Sequence, residues 1–418
     1  MPAARRDESD RLYRWNFAFL VLDSGGYSLA VSFISYITIV PYYLSQLVDS
    51  SLLIALAPAV FVLGQNLPSV ITANYVLPLR NRKGFIVGVA VAERVFLALL
   101  VLCAWLVLSH PQAGLVGFLI SYGLLAISMG SITPAYVDFQ ARAIPHHRGI
   151  FFGVNYFVGA MLGSLGGLVV RNILGARPGV DGFLTVFTIG LVVSCVTILF
   201  TSSIREPGNA VVRDMLPWGQ YFSHLGRELR ENTPFARFMI VRTALNLAEM
   251  ATPFLSVYAV SQFRIPASYV GLFAISVVAG QSVANLGWGL IGDRLGYKAV
   301  LLGAATLGIL VLFLALAATG PSLFFLVFAL SGAVLSGNLI GNVNMVIGYS
   351  PVGETPMYSG LFNGIQAPSV ALAPLLAGLF LRWFEYHQLF LVGLVLYVVG
   401  FAAMALTPAP SLSDGQPR

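Results

Sequence analysis

Five ionisable side chains stand inside long apolar stretches of the sequence: Asp23, Glu93, Arg94, Arg242 and Glu249. Such groups are costly in hydrocarbon and mark functional sites by default. Arg242, Asn246 and Glu249 recur at i, i+4 and i+7, which puts them on one face of a helix. A carboxyl group in that setting can carry a proton. Glu249 lies about 20 Å along its apolar run at a rise of about 1.5 Å per residue and is the first candidate. Asp23, about 12 Å into its own run, is the second. The competing role for Glu249 is permanent pairing with an arginine from another helix.

Glu93 and Arg94 are adjacent, so on a helix they point about 100° apart. They read as structural charges that brace the inner half through pairs with Asp23 or Asp138, together with Arg142 and Arg148. Uncharged polar residues are more numerous. Gln65 and Asn66, Gln281 and Asn285, Asn338, Asn342 and Asn344, and Asn363 and Gln366 all fall in apolar runs. Amides offer both donors and acceptors, which suits a neutral or zwitterionic solute, and they also serve as interhelical glue. No phosphate-binding G-x-x-x-x-G-K-[ST] loop occurs, and no nucleophile–base pair stands at a recognisable spacing. Enzymatic chemistry, a cofactor and a metal site are therefore not expected. His146-His147 reads as a solvated connector, and Cys103 and Cys195 as isolated thiols.

The elements that carry these residues follow from composition. Of 418 residues, 57% are apolar and 10% charged, against about 25% charged in a soluble domain. A chain this apolar cannot cover a water-exposed surface, which excludes a soluble enzyme, a nucleic-acid-binding domain and a disordered protein. Twelve apolar runs of helical length fall at 15–43, 51–76, 85–108, 113–137, 149–170 and 183–204, then at 235–261, 268–291, 299–319, 322–347, 357–381 and 388–407. Spans of this length are helices, since only a helix bonds its backbone within the segment. The expected fold is an all-α polytopic membrane protein with twelve transmembrane helices in two pseudo-symmetric six-helix bundles, 15–204 and 235–407. Flanking them are tails 1–14 and 408–418 and a central loop 205–234. Prolines 134, 253, 368 and 374 are expected to interrupt helices.

Arg5, Arg6, Arg11 and Arg14, Arg80, Arg82 and Lys83, Arg142 and Arg148, the four arginines of the central loop, Arg294 and Lys298, and Arg418 all fall on one side of this topology. Only Arg171, Arg177, Arg264 and Arg382 fall on the other. The positive-inside rule then makes both termini cytoplasmic and turns the net charge of +6 into a statement of orientation. The N-terminus lacks a signal-peptide pattern. In the central loop, Trp218, Tyr221, Phe222, Leu225 and Leu229 form the stripe of an amphipathic helix on the inner membrane face.

At the eighth-to-ninth connection stands Gly289-Leu-Ile-Gly-Asp293-Arg294-Leu-Gly296-Tyr-Lys298. It resembles the G-x-x-x-D-R-x-G-x-[RK] signature of the major facilitator superfamily. Gly289 allows close helix approach, Gly296 a tight turn, and Asp293 can accept from a neighbouring helix N-terminus or pair with Arg294. The equivalent loop of the first half, Tyr75 to Gly84, keeps basic residues and lacks the Asp, so a weaker or rearranged inner latch is expected there. The resemblance implies that helices 1, 4, 7 and 10 line a central cavity. Asp23, Arg242, Asn246 and Glu249 then become cavity candidates, joined by Gln281, Asn285, Asn338, Asn342, Asn363 and Gln366.

Helix 5 carries Gly159, Gly163, Gly166 and Gly167, an echo of an antiporter motif that lacks its Pro and otherwise reads as small-residue packing. Helix 4 lacks the arginine of drug–proton antiporters. The implied protein is a secondary transporter in the plasma or inner membrane, a monomer moving a small organic solute by alternating access. Proton coupling would run through Glu249, and the echo tilts direction toward export. A non-transporting sensor, an assembly factor for membrane complexes and a lipid-moving variant are the competing readings.

Overall fold

The computed structural model describes residues 3–36, 38–48, 51–177, 179–206, 211–265 and 269–410. The outer ends of both tails, residues 207–210 of the central loop and residue 268 of the eighth expected run lie outside the described residues. Within them the chain is helical, with no strand.

Nine of the described helices are each long and apolar enough to cross a membrane. In the first half they are α5 (Arg82–Leu106), α6 (Pro111–Ala143), α7 (Arg148–Ala176) and α8 (Val180–Ser203). In the second half they are α12 (Tyr269–Leu295), α13 (Tyr297–Ala317), α14 (Leu323–Tyr349), α15 (Thr355–Phe380) and α16 (Tyr386–Leu406). The three remaining runs are broken. The first is split into α1 (Ala3–Ser32) and α2 (Ile39–Ser45), the second into α3 (Ser51–Asn66) and α4 (Pro68–Val76). The seventh runs as α10 (Thr233–Ala248), a 3₁₀ segment Glu249–Phe254 and α11 (Leu255–Phe263).

Backbone chemistry accounts for two of the breaks. Pro68 has no N–H to bond the Gly64 carbonyl, and Pro253 none for the carbonyl of Glu249. Pro134, Pro368 and Pro374 do not interrupt their helices as expected, for α6 and α15 run through them. The N-terminal tail is itself helical from Ala3. The amphipathic segment forms α9 (Trp218–Glu231) as its stripe predicts, with Tyr221 and Leu225 buried and Phe222 exposed.

The chain divides into two compact units that do not follow a single cut. The first comprises Met1–Pro145, Val158–Leu216 and Val352–Gly364; the second His146–Phe157, Pro217–Pro351 and Ile365–Arg418. The start of α7 thus belongs to the second unit and the start of α15 to the first. Inside the first unit α1 packs on α8, α5 on α6 and α8, and α3 and α4 on α6. Inside the second, α10 packs on α16, α13 on α14 and α16, and α12 on α14. Helix for helix the two lists correspond, which is the internal repeat written in packing. In the first unit Tyr43 of the short α2 is fully buried among Phe118, Phe183 and Phe187, with ring centroids 4.9 to 5.3 Å apart. Gly159 and Gly166 of α7 face Ser28 and Ser32 of α1, which is the small-residue packing reading of that glycine run.

Candidate functional site

In the second unit the break at Glu249 sets the carboxylate at the end of α10, beyond Arg242 and Asn246. Arg242, 3% exposed, donates from Nη1 to Asn338 Oδ1 of α14 at 3.1 Å and from Nη2 to Asn246 Oδ1 at 2.9 Å. Asn338 Nδ2 donates in turn to Glu249 Oε1 at 2.7 Å. Asn246 Nδ2 donates to Gln366 Oε1 at 2.9 Å and to Ser369 Oγ at 3.0 Å, both on α15, and Gln366 Nε2 reaches the Met239 carbonyl at 3.2 Å. The arginine and the carboxylate do not form an ion pair among the described residues; an amide stands between them. Arg242 and Asn246 are bonded to each other, Glu249 is joined to Arg242 through Asn338, and side chains of α14 and α15 complete the cluster. Arg242 Nε and Asn342 Oδ1 are buried polar atoms with no protein partner.

Other expected members lie elsewhere. Asn285 is fully buried and accepts from Ser336 Oγ at 2.5 Å, tying α12 to α14 as interhelical glue. The Gln281 side chain makes no hydrogen bond among the described residues. Asn342 shares a face with Asn338 by spacing, yet only Asn338 bridges Arg242 and Glu249. Asn363 falls in the part of α15 that belongs to the first unit, apart from Gln366. Ser369 was not legible as a member, because a serine in an apolar helix carries no distinguishing pattern.

In the first unit Asp23, 7% exposed, accepts from Thr201 Oγ1 of α8 at 2.5 Å and from Tyr136 Oη of α6 at 2.8 Å. Arg94 donates to the Ser194 carbonyl at 3.1 Å, to Thr197 Oγ1 at 2.8 Å and to the Ala90 carbonyl at 3.1 Å. The expected pairing of Glu93 and Arg94 with Asp23 or Asp138 does not form. Arg94 pairs instead with its neighbour Glu93 at 3.3 Å, because its long side chain curls back along its own helix and overcomes the 100° offset of the two Cβ atoms. Asp138 belongs to another cluster, at the end of the unit that bears the basic loops. It pairs with Arg82, fully buried, and with Arg142 at 2.8 Å. Arg142 continues to Glu206 at 2.8 Å, and Glu206 accepts the Lys83 N–H at 2.8 Å. Glu206 thereby supplies, from the central loop, a carboxylate for the first turn of α5.

The signature loop sits at the corresponding end of the second unit. Asp293 Oδ1 accepts the Gly149 N–H at 2.7 Å and Oδ2 the Ile150 N–H at 2.8 Å, both in the first turn of α7. Tyr297 Oη donates to the same carboxylate at 3.0 Å. Of the two expectations for Asp293, the helix N-terminus is the one that forms. Arg294 is exposed and makes no ion pair with Asp293 among the described residues. Gly149 and Gly289 meet backbone to backbone, leaving no room for a side chain at either. Gly296 takes φ +84° in the turn before α13, and Lys298 Nζ donates to the Ala405 carbonyl at 2.8 Å. Arg148 stands at the head of α7, within electrostatic reach of this carboxylate.

Residues 235–418 match the family model described as Major Facilitator Superfamily. Among solved structures the chain is similar to the E. coli fucose:proton symporter FucP, an MFS transporter, with TM-score 0.78, 13% identity, and coverage of 95% of this chain and 99% of that one. It is also similar to the human organic anion transporter MFSD10, with TM-score 0.71, 15% identity, and coverage of 97% and 100%. The proton:xylose symporter XylE gives TM-score 0.69, 15% identity, and coverage of 96% and 97%. No curated protein matches this chain.

Proposed function

We propose that this chain is a proton-coupled secondary transporter of a small polar solute, a reading supported by the match of residues 235–418 to the Major Facilitator Superfamily model and by the fold the whole chain shares with transporters of that superfamily. The observation that carries the coupling is the amide between Arg242 and Glu249. Were the two charges in direct contact, protonating the carboxylate would leave a buried arginine without a partner, at a cost of several kcal/mol, about 3 to 5. With Asn338 between them, Arg242 keeps both of its amide acceptors whether Glu249 is charged or neutral. Glu249 is therefore free to load and release a proton while the helices around it stay bonded.

The solute reading rests on the same cluster. Asn338 and Asn246 bond the arginine directly, Gln366 and Ser369 bond Asn246 behind it, and Arg242 Nε and Asn342 Oδ1 remain as a buried donor and a buried acceptor. A neutral or zwitterionic solute rich in hydroxyl or amide groups fits this chemistry, since buried polar atoms are costly until paired. Two of the similar structures are proton:sugar symporters, in keeping with such a solute. The end of each unit that bears the basic loops is read as cytoplasmic, in a plasma or inner membrane.

Reconstituted protein tests the reading against a panel of radiolabelled sugars, polyols and amino acids. For the solute that is taken up, Glu249→Gln is expected to abolish accumulation driven by a pH gradient while leaving solute exchange intact. The glutamine keeps the acceptor for Asn338 and removes only the proton site. Accumulation by the variant at the wild-type rate, still dependent on the pH gradient, would overturn the role of Glu249.

A further inference from the structure

The loop joining the second and third spans has no carboxylate equivalent to Asp293, yet the first unit holds the start of α15 as the second unit holds the start of α7. Another part of the chain stands in that place. Residues 211–216 of the central loop, which form no helix or strand, lie alongside residues 74–82 and are pinned there at three points. Asn74, fully buried, donates from Nδ2 to the Leu216 carbonyl at 2.9 Å and accepts the Leu216 N–H on Oδ1 at 3.1 Å. The Arg213 N–H bonds the Leu77 carbonyl at 3.2 Å, and Arg82 Nη2 donates to the Val211 carbonyl at 3.4 Å.

From the middle of this segment the Arg213 side chain reaches the residues that lead into α15. Its Nη1 lies 2.9 Å from Glu354 Oε1, and Nη2 donates to the Val352 carbonyl at 3.4 Å. Between those two residues Gly353 takes φ +86°, and a Cβ there would come within 2.8 Å of Val211. The segment and the lead-in to α15 are thus fitted to each other in backbone shape as well as in charge. In the second unit the loop supplies the anion and the helix its N–H groups. Here the polarity is inverted: the loop supplies a cation, and the carboxylate stands just ahead of the helix.

We propose that residues 211–216 are a strap that holds the start of α15 in the first unit, and that Asn74 and Arg213 are the positioning residues that set how readily it is released. The proposal rests on the transporter reading, in which the start of α15 must change neighbours during alternating access. It explains how a chain without the first-half signature carboxylate keeps control of that step. The Arg213 end of the strap is half-exposed, at 47% for its side chain against 8% for Glu354, so salt in the surrounding water weakens it.

Ser359, buried in the α15 segment of the first unit, gives a probe. Full-length protein carrying Cys103→Ser, Cys195→Ser and Ser359→Cys is reconstituted at low ionic strength, and maleimide labelling of the new thiol is timed. Arg213→Ala is expected to raise the labelling rate about fivefold, the scale of an exposed ion pair, and Asn74→Ala to raise it as well. Arg213→Lys keeps the charge and is expected to bring the rate back to within about twofold of the parent. Added salt should accelerate labelling of the parent and leave Arg213→Ala unchanged. A rate unmoved by Arg213→Ala, a lysine variant as fast as the alanine one, or a parent indifferent to salt would each overturn the proposal. The readout needs no transported solute, so failure to observe flux in liposomes would count against the transporter reading while the labelling result stood on its own.

Discussion

The two units finish their basic-loop ends with different chemistry. The second closes on one carboxylate, Asp293, which accepts two backbone N–H groups of α7. The first closes on side-chain charges: Arg82 and Arg142 on Asp138, Arg142 on Glu206, and Arg213 on Glu354. A carboxylate on a helix N-terminus uses donors that the fold already holds in place, so little is lost in ordering them. Ion pairs between long side chains must order both partners and are screened wherever water reaches them. The repeat is conserved in how helices pack and is not conserved in how their ends are held.

The largest expected effect comes from the most buried of these charges. Arg82 is fully buried against Asp138, so Asp138→Ala leaves an uncompensated charge and should lower stability by about 3 kcal/mol. A fall in the thermal midpoint of the purified protein measures it; a change within error would mean that Glu206 takes over the role of Asp138. Next comes Asp293→Ala, which removes the acceptor from two N–H groups and the Tyr297 hydroxyl and should cost about 2 kcal/mol. Asp293→Asn keeps one oxygen and should recover part of that loss in the same melt. The smallest effect separates the two ends most directly. Raising salt from low to high should cost the first unit's exposed Arg213–Glu354 pair up to about 1 kcal/mol. The Asp293 contact should not respond, and hydrogen exchange at Gly149 and Ile150 compared with Tyr358 would read the two separately.

Much of this was legible in the residue pattern. Twelve apolar runs, the amphipathic α9, the signature at Gly289 to Lys298 and the shared face of Arg242, Asn246 and Glu249 all follow from type and spacing. The missing carboxylate of the first-half loop was also plain. What replaced it was not: Asn74, Glu206, Arg213 and Glu354 come from three distant stretches of chain, and none stands out by its neighbours in sequence. Glu93 and Arg94 failed for a related reason. The direction of a Cβ is set by the helix, but the reach of an arginine depends on which carbonyls and hydroxyls its neighbours present.

The sequence by itself determined the medium, the helices and the charges that matter, because hydrocarbon tolerates few charges and each exception can be counted. Composition set the class, and of the breaks expected at prolines the one at Pro253 formed while α6 and α15 run through Pro134, Pro368 and Pro374. Tertiary structure alone decided the pairings: an amide between Arg242 and Glu249, Asp138 shared by two arginines, and a loop strap in place of a carboxylate. Those choices depend on which side chains come within about 3 Å of one another, and that distance is set by packing across helices that lie far apart in the chain.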